Sequence, residues 1–459
     1  MKKVLFALSM GASLMAVAQK PSPKAAPKPT AKPVAAAAAP AGQVKYTEYD
    51  LPNGLHVILH EDHATPIVAV SIMYHVGSKN EDTARTGFAH FFEHLLFEGS
   101  KNIKRGEFDK YIEGSGGMNN ANTSWDRTYY YEVLPSNQLE LGLWLESERL
   151  MHAKVEKIGV ETQRQVVKEE RRQRIDNQPY GSVIEELMKR LYTVHPYRWP
   201  IIGSMAHLDA AEEQDYVNFY KTFYVPNNAC LSIAGDLNVA QTKALIEKYF
   251  AAIPKGTKAI QRPNVAEPAL KGEVVANIPD NIQIPAVIMG YHGPKQGSAD
   301  YYALQMLAQL LSGGESSRLT KSLVDKQEVA LQISAFPLSL EDSGPIVFFG
   351  LCNEGTSPEK LKLNIDEEIE KVKNELISEE EFQKLKNAKE SEFVSSKATV
   401  AGVAEELAQY HMFFGNATLI NSEVQKYMAV NREDIKRVAN QYLGKDRVIL
   451  NYVPKETKE

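Results

Sequence analysis

The stretch HVILHEDHATPIVAVSIMYHVG, residues His56–Gly77, holds two apolar, β-branched runs separated by a polar segment that ends in proline. A similar arrangement, EVVANIPDNIQIPAVIMGYHG, recurs at Glu273–Gly293. Short apolar runs bounded by turn-forming residues are typical of strands that are buried in a sheet. The recurrence therefore indicates that two parts of the chain begin with the same pair of strands.

The same succession of elements follows each strand pair: a long apolar helix, an aromatic or β-branched strand, and a closing helix, turn and strand. In the first half these segments are Gly87–Gly99, Thr128–Leu134 and Gln214–Asp236. In the second half they are Ala299–Gly314, Pro345–Leu351 and Arg432–Pro454. A chance resemblance is less plausible for four segments in the same order than for one. The pattern predicts an α+β protein of two homologous domains, each a mostly antiparallel sheet covered by helices.

The N-terminal segment differs in composition from the rest. Residues 1–18 have a Lys2–Lys3 head, an apolar stretch and a small-residue cleavage site ending at Ala18, which predicts a signal peptide, with a retained anchor as the alternative. Residues 19–43 are nearly all Pro, Ala and Lys, so we expect a disordered linker. The first domain is then 44–255, an interdomain linker is 256–272, and the second domain is 273–459. We expect an exported protein, periplasmic or extracellular, with no transmembrane segment after signal cleavage.

Charge and cysteine content limit the functions that the chain can have. Six of the 52 basic residues lie in the first 43 positions, which leaves 46 against 58 acidic residues and a net charge of −12 for the rest. An acidic body argues against a nucleic acid partner.

The two cysteines, Cys230 and Cys352, both lie in strand-like runs. A disulfide between them is the alternative to two buried free thiols, which the sequence favours.

Three polar residues interrupt the apolar segment Gly87–Glu98: His90, Glu93 and His94. In a helix, the two histidines lie one turn apart with Cβ atoms about 6 Å apart, a spacing at which two imidazoles can share a Zn²⁺ ion. Glu93 then lies beside the metal as a candidate general base. The alternative is an amphipathic helix with surface histidines, but the apolar neighbours make unpartnered polar groups costly there.

A zinc peptidase needs a third protein ligand and one open position. The helical pattern of Glu161–Gly181 offers two neighbouring candidates, Glu169 and Glu170. The residues themselves do not decide between the two.

The order HxxEH reverses the common HExxH and marks the inverzincins. Together with the segments DLPNGLHVILHED, VVKEE, GGMNNANTSWDRTYYYEVL and YVPNNACLSIAGDLN, it makes the chain from Val44 onward resemble the pitrilysin family, in the branch of mitochondrial processing peptidase and its bacterial relatives. The resemblance implies one Zn²⁺ per chain, held by His90, His94 and Glu170, which lies 76 residues after His94. It also implies that Glu93 is the general base.

The resemblance further implies how substrate binds. In this family the peptide is added as a strand at the edge of a sheet, and residues Asn120–Ser124 match that edge. The implied substrate-binding residues are Asn120, Ala121, Asn122 and Thr123. Without the resemblance, this asparagine-rich stretch would be read as a polar turn.

The chain departs from the family pattern at two places. Gln163 stands where the family usually has a second glutamate, so Gln163, Glu169 or Glu161 would supply the group that supports the metal ligands. Val324 and Leu331 stand where active relatives carry an arginine and a tyrosine that stabilise the tetrahedral intermediate. The nearby Arg318 is better explained as structural.

These departures favour a particular kind of assembly. We expect a heterodimer whose homologous second subunit lacks HxxEH but carries the arginine and the tyrosine, and otherwise a homodimer. The implied activity is zinc-dependent endopeptidase cleavage of unfolded peptides in a closed chamber. The alternative is a non-catalytic structural subunit of the same family, which the intact motif disfavours.

Overall fold

The computed structural model describes residues 43–455, which form one compact unit. The predicted signal peptide and nearly all of the predicted N-terminal linker lie outside the described residues. Within 43–455, every helix is too short or too polar to cross a membrane.

The first half contains one sheet of six strands in the order β1-β2-β6-β3-β5-β4. Only β2 and β6 run parallel, and the other neighbours are antiparallel. The strands are β1 Thr47–Asp50, β2 His56–Glu61, β3 Ile67–Tyr74, β4 Met118–Thr123, β5 Thr128–Pro135 and β6 Ala229–Gly235. The helices are α1 Phe88–Leu95, α2 Phe108–Gly114, α3 Leu139–His152, α4 Lys157–Arg171, α5 Val183–Leu191, α6 Met205–Ala210, α7 Glu213–Phe223 and α8 Val239–Phe250.

The second half contains a sheet of five strands in the order β7-β11-β8-β10-β9. Its single parallel pair is β7 with β11. The strands are β7 Glu273–Asp280, β8 Ala286–Lys295, β9 Ala330–Pro337, β10 Ser343–Cys352 and β11 Arg447–Pro454. The helices are α9 Ala299–Ser312, α10 Pro358–Asn374, α11 Glu379–Ser395, α12 Val400–Phe414, α13 Glu423–Met428 and α14 Arg432–Tyr442.

The two sheets share one topology. When β2, β6, β3, β5 and β4 are matched with β7, β11, β8, β10 and β9, the strand order and the position of the parallel pair are the same. The first sheet has β1 as an additional strand at its edge. The predicted α+β fold of two similar, mostly antiparallel domains is confirmed. Cys230 and Cys352 are both buried and free, as the sequence favoured.

In each half, one helix packs against the sheet of the other half, which the sequence pattern did not predict. Helix α12 of the second half packs on β3 and β6, with Leu407 and Ala404 in a cluster with Met73. Helix α5 of the first half packs on β8 and β11. Gly290 makes room for this contact, because a Cβ there would lie 2.5 Å from Leu187 Cδ1. The exchange buries apolar surface that neither half covers by itself.

Charged groups also join the halves. The buried Lys79 ammonium lies 2.7 Å from Asp126 Oδ1 and also contacts Glu341 of the second half. Burial alone would raise the pKa of Glu341, but its contacts with His75 and Lys79 lower that pKa to about 2.

Residues 254–272 contain neither helix nor strand, yet Glu267 there accepts hydrogen bonds from three successive backbone amides that begin at Thr193. The predicted interdomain linker is thus packed against the first half, while its exact bounds stay a prediction.

Candidate metal centre

Helix α1 carries the HxxEH motif, and a carboxylate from outside the helix caps its N-terminus. Glu81 accepts hydrogen bonds from the backbone amides of Gly87 at 2.7 Å and Ala89 at 2.8 Å. Gly87 immediately precedes the helix as its N-cap residue with φ +95°, and a Cβ there would lie 2.7 Å from the Ile202 carbonyl oxygen. Glycine is therefore required at this turn. The sequence reasoning missed Glu81, because nothing local marks an acid six residues upstream as a cap.

Removal of this cap should weaken the metal-bearing helix. Glu81 is buried, so a Glu81→Ala variant leaves at least two amides of α1 without an acceptor. We expect the free energy of unfolding to fall by about 1–3 kcal/mol. Urea unfolding of the purified variant measures this loss. An unchanged unfolding midpoint would contradict the assigned role.

The structure brings the three predicted ligands together. Glu170 Oε2, from α4, lies 3.5 Å from His90 Nε2 and 3.1 Å from His94 Nε2. These residues form a group whose donor atoms all lie within 4.8 Å of one another. Ligand atoms of a tetrahedral zinc site at normal bond lengths lie about 3.3 Å apart, so the spacing fits this ion. Glu170 Oε2 is buried and has no hydrogen-bond partner among the described residues, which fits an oxygen held for a cation.

The electrostatics of the site favour the ligand forms of these side chains. Burial lowers the pKa of His90 to about 4, so its imidazole is neutral at neutral pH. For Glu170, burial would raise the pKa, but the close imidazole of His94 and the nearby His90 and Arg174 hold that pKa below its usual value. Arg174 Nη1 pairs with Glu170 Oε1 at 2.8 Å, which leaves Oε2 for the histidine pair. A neutral imidazole and an ionised carboxylate are the forms that bind a metal.

Glu93 lies on the same helix, between the metal pair and the edge of the sheet. Its Oε2 accepts a hydrogen bond from Thr123 Oγ1 at 2.7 Å. Burial raises the pKa of Glu93, although the Thr123 hydrogen bond acts in the opposite direction. A raised pKa suits a carboxylate that takes up a proton and later releases it.

Strand β4, which includes the predicted substrate-binding residues, is an edge strand. It pairs with β5 on one side only, with Asn120 opposite Tyr131 and Thr123 opposite Thr128. The Ala121 amide donates to the Asn120 side chain at 2.9 Å, so this donor faces the open edge. Helix α1 packs against β4. The free edge therefore lies next to the metal-bearing helix.

The predicted supporting residues make their contacts elsewhere. Gln163 donates to Glu98, a residue that also pairs with Arg105. Glu169 is exposed and pairs with Arg172 and Gln173 in the next turn. Glu161 pairs with Arg164. Of the two neighbouring acids, Glu170 is the one that reaches the histidines, and a role of Gln163 or Glu169 beside the metal stays a prediction.

In the second half, apolar side chains occupy the two positions, 324 and 331, at which the sequence departs from the family pattern. Val324 is half-buried against the apolar core of the second half, and Leu331 on β9 is 48% exposed. Arg318 forms a two-pronged ion pair with Glu381, with N–O distances of 2.8 and 2.9 Å. The Arg318 guanidinium is thus bound to α11 through Glu381, which agrees with the structural role expected for Arg318.

Comparison with known proteins places both halves in one family. Residues 56–204 match the family described as insulinase (peptidase family M16), and residues 211–389 match the peptidase M16 inactive domain. The zinc protease PqqE of Helicobacter pylori is 33% identical over 87% of this chain and 90% of its own length. The mitochondrial-processing peptidase subunit beta of Blastocladiella emersonii is 25% identical, over 88% of each chain.

Solved structures agree with this placement. The crystal structure of a protease from Helicobacter pylori has a TM-score of 0.86 and 32% identity, and covers 89% of this chain and 100% of its own. The periplasmic protease PqqL of Escherichia coli has the same fold, with a TM-score of 0.75 and 20% identity over 92% of this chain and 48% of its own. The chain therefore belongs to peptidase family M16, the insulinase family of metallopeptidases, in which its two halves correspond to the peptidase domain and the inactive domain.

Proposed function

We propose that this chain is the zinc-bearing subunit of a metalloendopeptidase that cleaves unfolded peptides. The observation that carries the proposal is the convergence of His90 Nε2, His94 Nε2 and Glu170 Oε2 on one point beside Glu93 and the open strand β4. Zinc bound there would polarise the scissile carbonyl and make a water molecule more acidic.

Glu93 moves the proton in this reaction. Its carboxylate accepts a proton from the attacking water and delivers it to the departing amine, a role that needs a carboxylate with a raised pKa close to the ligands. Thr123 holds Glu93 Oε2 by its hydroxyl, so the carboxylate keeps a fixed orientation. His90, His94 and Glu170 serve only as ligands.

Substrate binding follows from the edge strand. A peptide added antiparallel or parallel to β4 pairs its backbone with Asn120, Ala121, Asn122 and Thr123, and thereby lies alongside the helix that carries Glu93. Backbone pairing selects extended, unfolded peptides and is indifferent to most side chains. An enclosed chamber between two subunits or two halves would exclude folded proteins.

Val324 and Leu331 support the proposal of a heterodimer. Neither side chain can donate a hydrogen bond to the tetrahedral intermediate, and Arg318 is paired with Glu381. A related subunit that lacks HxxEH but carries an arginine and a tyrosine would supply these donors; a homodimer is the alternative. We further propose that the predicted signal peptide directs the chain to the periplasm or the cell exterior.

The second candidate is a non-catalytic scaffold subunit of the same family. It is favoured only by the missing arginine and tyrosine. It gives no reason for a buried Glu170 Oε2 that has no hydrogen-bond partner within residues 43–455 and lies beside two imidazoles.

The experiment that separates the candidates compares neighbouring acids of α4. We expect Glu170→Gln to lose one equivalent of zinc and the peptidase activity. The matched Glu169→Gln variant should keep both, because Glu169 pairs with surface groups. Metal analysis and hydrolysis of an unfolded peptide measure the two outcomes. Equal behaviour of both variants would overturn the proposal.

A further inference from the structure

The turn that ends the edge strand β4 is buried against the second half of the chain. Residues 124–127 form this β4–β5 turn, and within it Trp125 is 8% exposed and Asp126 is 3% exposed. The corresponding connection in the second half is residues 338–342, between β9 and β10. A hydrogen bond from Glu341 to Asp126 joins the two connections. The hairpins that correspond in the internal repeat therefore meet at their turns.

The Asp126 carboxylate is the centre of this contact. Its Oδ1 accepts a hydrogen bond from the Tyr197 hydroxyl at 2.8 Å and lies 2.7 Å from Lys79 Nζ. Its Oδ2 accepts a hydrogen bond from the backbone amide of Glu341 at 2.9 Å. The Glu341 carboxylate also contacts the Lys79 ammonium, so one buried cation bridges the two halves. A buried charge needs such partners, because loss of one leaves it uncompensated.

Arg127 makes a second contact with the second half. Its Nη2 lies 2.5 Å from Glu405 Oε1, and Glu405 belongs to α12, the helix that packs on β3 and β6. The Arg127 side chain is only 15% exposed, and its guanidinium lies over the Tyr129 ring. Two elements of the second half, the 338–342 connection and α12, therefore hold neighbouring residues of one turn.

The backbone of the turn is bonded to the segment that precedes α1. The Ser78 amide donates to the Ser124 carbonyl oxygen at 3.2 Å, and the Lys79 amide donates to the Trp125 carbonyl oxygen at 3.0 Å. Gly77 lies so close to the turn that a Cβ there would be 2.4 Å from the Trp125 carbonyl oxygen. Contacts outside the β4–β5 pair thus fix the position of the turn.

The turn in turn determines where the open edge of β4 lies. Strand β4 is paired with β5 on one side only, and its last residue, Thr123, directly precedes the turn and donates to Glu93. A binding site works when its groups are held within about 0.5 Å of the productive geometry. A strand with one free edge therefore depends on its fixed end to present backbone donors and acceptors to a peptide.

We propose that the second half positions the peptide-binding edge of β4 by holding Asp126 and Arg127, so that Lys79, Glu341 and Glu405 are positioning residues for substrate binding. This inference rests on the proposed function, because it takes β4 as the strand to which the peptide is added. None of these residues belongs to the metal-ligand group of α1 and α4. Their loss therefore weakens peptide binding and leaves zinc binding unchanged.

The test measures peptide binding without turnover. In a Glu93→Gln background with zinc bound, the full chain is titrated into a fluorescein-labelled, unstructured peptide, and the anisotropy gives Kd. We expect Glu405→Gln to raise Kd, and Glu341→Gln/Glu405→Gln to raise it by about 2–30-fold, the range for residues that couple distant sites. Zinc per chain should not change. In the assembled enzyme with Glu93 intact, the same substitutions should raise KM more than they lower kcat.

Glu381→Gln is the matched control for Glu405→Gln. The two acids are 34% and 36% exposed, and each pairs with an arginine, but the partner of Glu381 is Arg318 of the second half. Glu381→Gln should lower thermal stability at least as much as Glu405→Gln and leave Kd unchanged. Exchange of the charges gives a further control: Arg127→Glu should weaken peptide binding, and Arg127→Glu/Glu405→Arg should restore it.

The possible results separate this inference from the proposed function. A Kd that stays the same in Glu341→Gln/Glu405→Gln would overturn the positioning role alone. Equal weakening by Glu381→Gln and Glu405→Gln, or no recovery on exchange of the charges, would assign the effect to stability and also overturn it. Failure of the Glu93→Gln chain itself to bind the peptide would overturn strand addition at β4, and with it the proposed mode of substrate binding.

Discussion

A Glu93→Gln variant will keep its zinc and lose peptidase activity by about 10²–10⁴-fold, the usual contribution of a positioned acid–base group. Glutamine has nearly the same shape and can still accept the Thr123 hydrogen bond, but it cannot take up a proton. The loss should therefore appear in kcat, with a small change in KM. Peptide hydrolysis with the fully assembled enzyme measures the effect.

Metal content provides the internal control for this variant. Because Glu93 lies beside the ligand group and is not one of its members, zinc per chain should equal that of the unaltered protein. A variant that retains full activity would exclude Glu93 as the general base. A variant that loses zinc would instead make Glu93 a ligand or a support of the ligands.

The purified chain alone should cleave peptides slowly, and addition of the subunit that carries the arginine and tyrosine should raise kcat/KM by about 10²–10³-fold or more. Each missing donor to the developing oxyanion costs about 3–4 kcal/mol of transition-state stabilisation. Val324 and Leu331 offer no donor, and Arg318 is held by Glu381. Steady-state kinetics with and without the second subunit measure this gain.

The control for this experiment is a second subunit in which the arginine and the tyrosine are replaced. It should still bind to the chain and form the chamber, but it should leave the rate low. Activation by this altered subunit would show that assembly, rather than the two side chains, is responsible. Full activity of the chain alone would contradict the proposal that a second subunit supplies the arginine and the tyrosine.

The elements and the metal pair were predictable because they depend on local spacing. His90 and His94 share one face of a helix whatever surrounds it, and short apolar runs bounded by turn-forming residues mark the strands. The choice of Glu170 over Glu169 was different, because both lie on one helix and only the packing of α4 against α1 decides which acid reaches the histidines. Before the structure was known, only the family resemblance favoured Glu170 over Glu169.

Long-range contacts account for what the sequence did not predict. Helices α5 and α12 each pack on the sheet of the other half. The apolar face of a helix can be recognised in the sequence, but the sequence does not show which sheet that face will cover. Glu81 caps α1 from a preceding segment, and His56 meets His411 across 355 positions of the chain. Such contacts come from tertiary structure alone.

Zinc-edge anomalous diffraction from crystals of the chain grown with zinc would locate the ion directly. We expect a peak about 2.0–2.2 Å from His90 Nε2, His94 Nε2 and a carboxylate oxygen of Glu170. A map with no peak at these residues, or a peak from which the Glu170 carboxylate is turned away with no other acid in its place, would contradict the proposed peptidase.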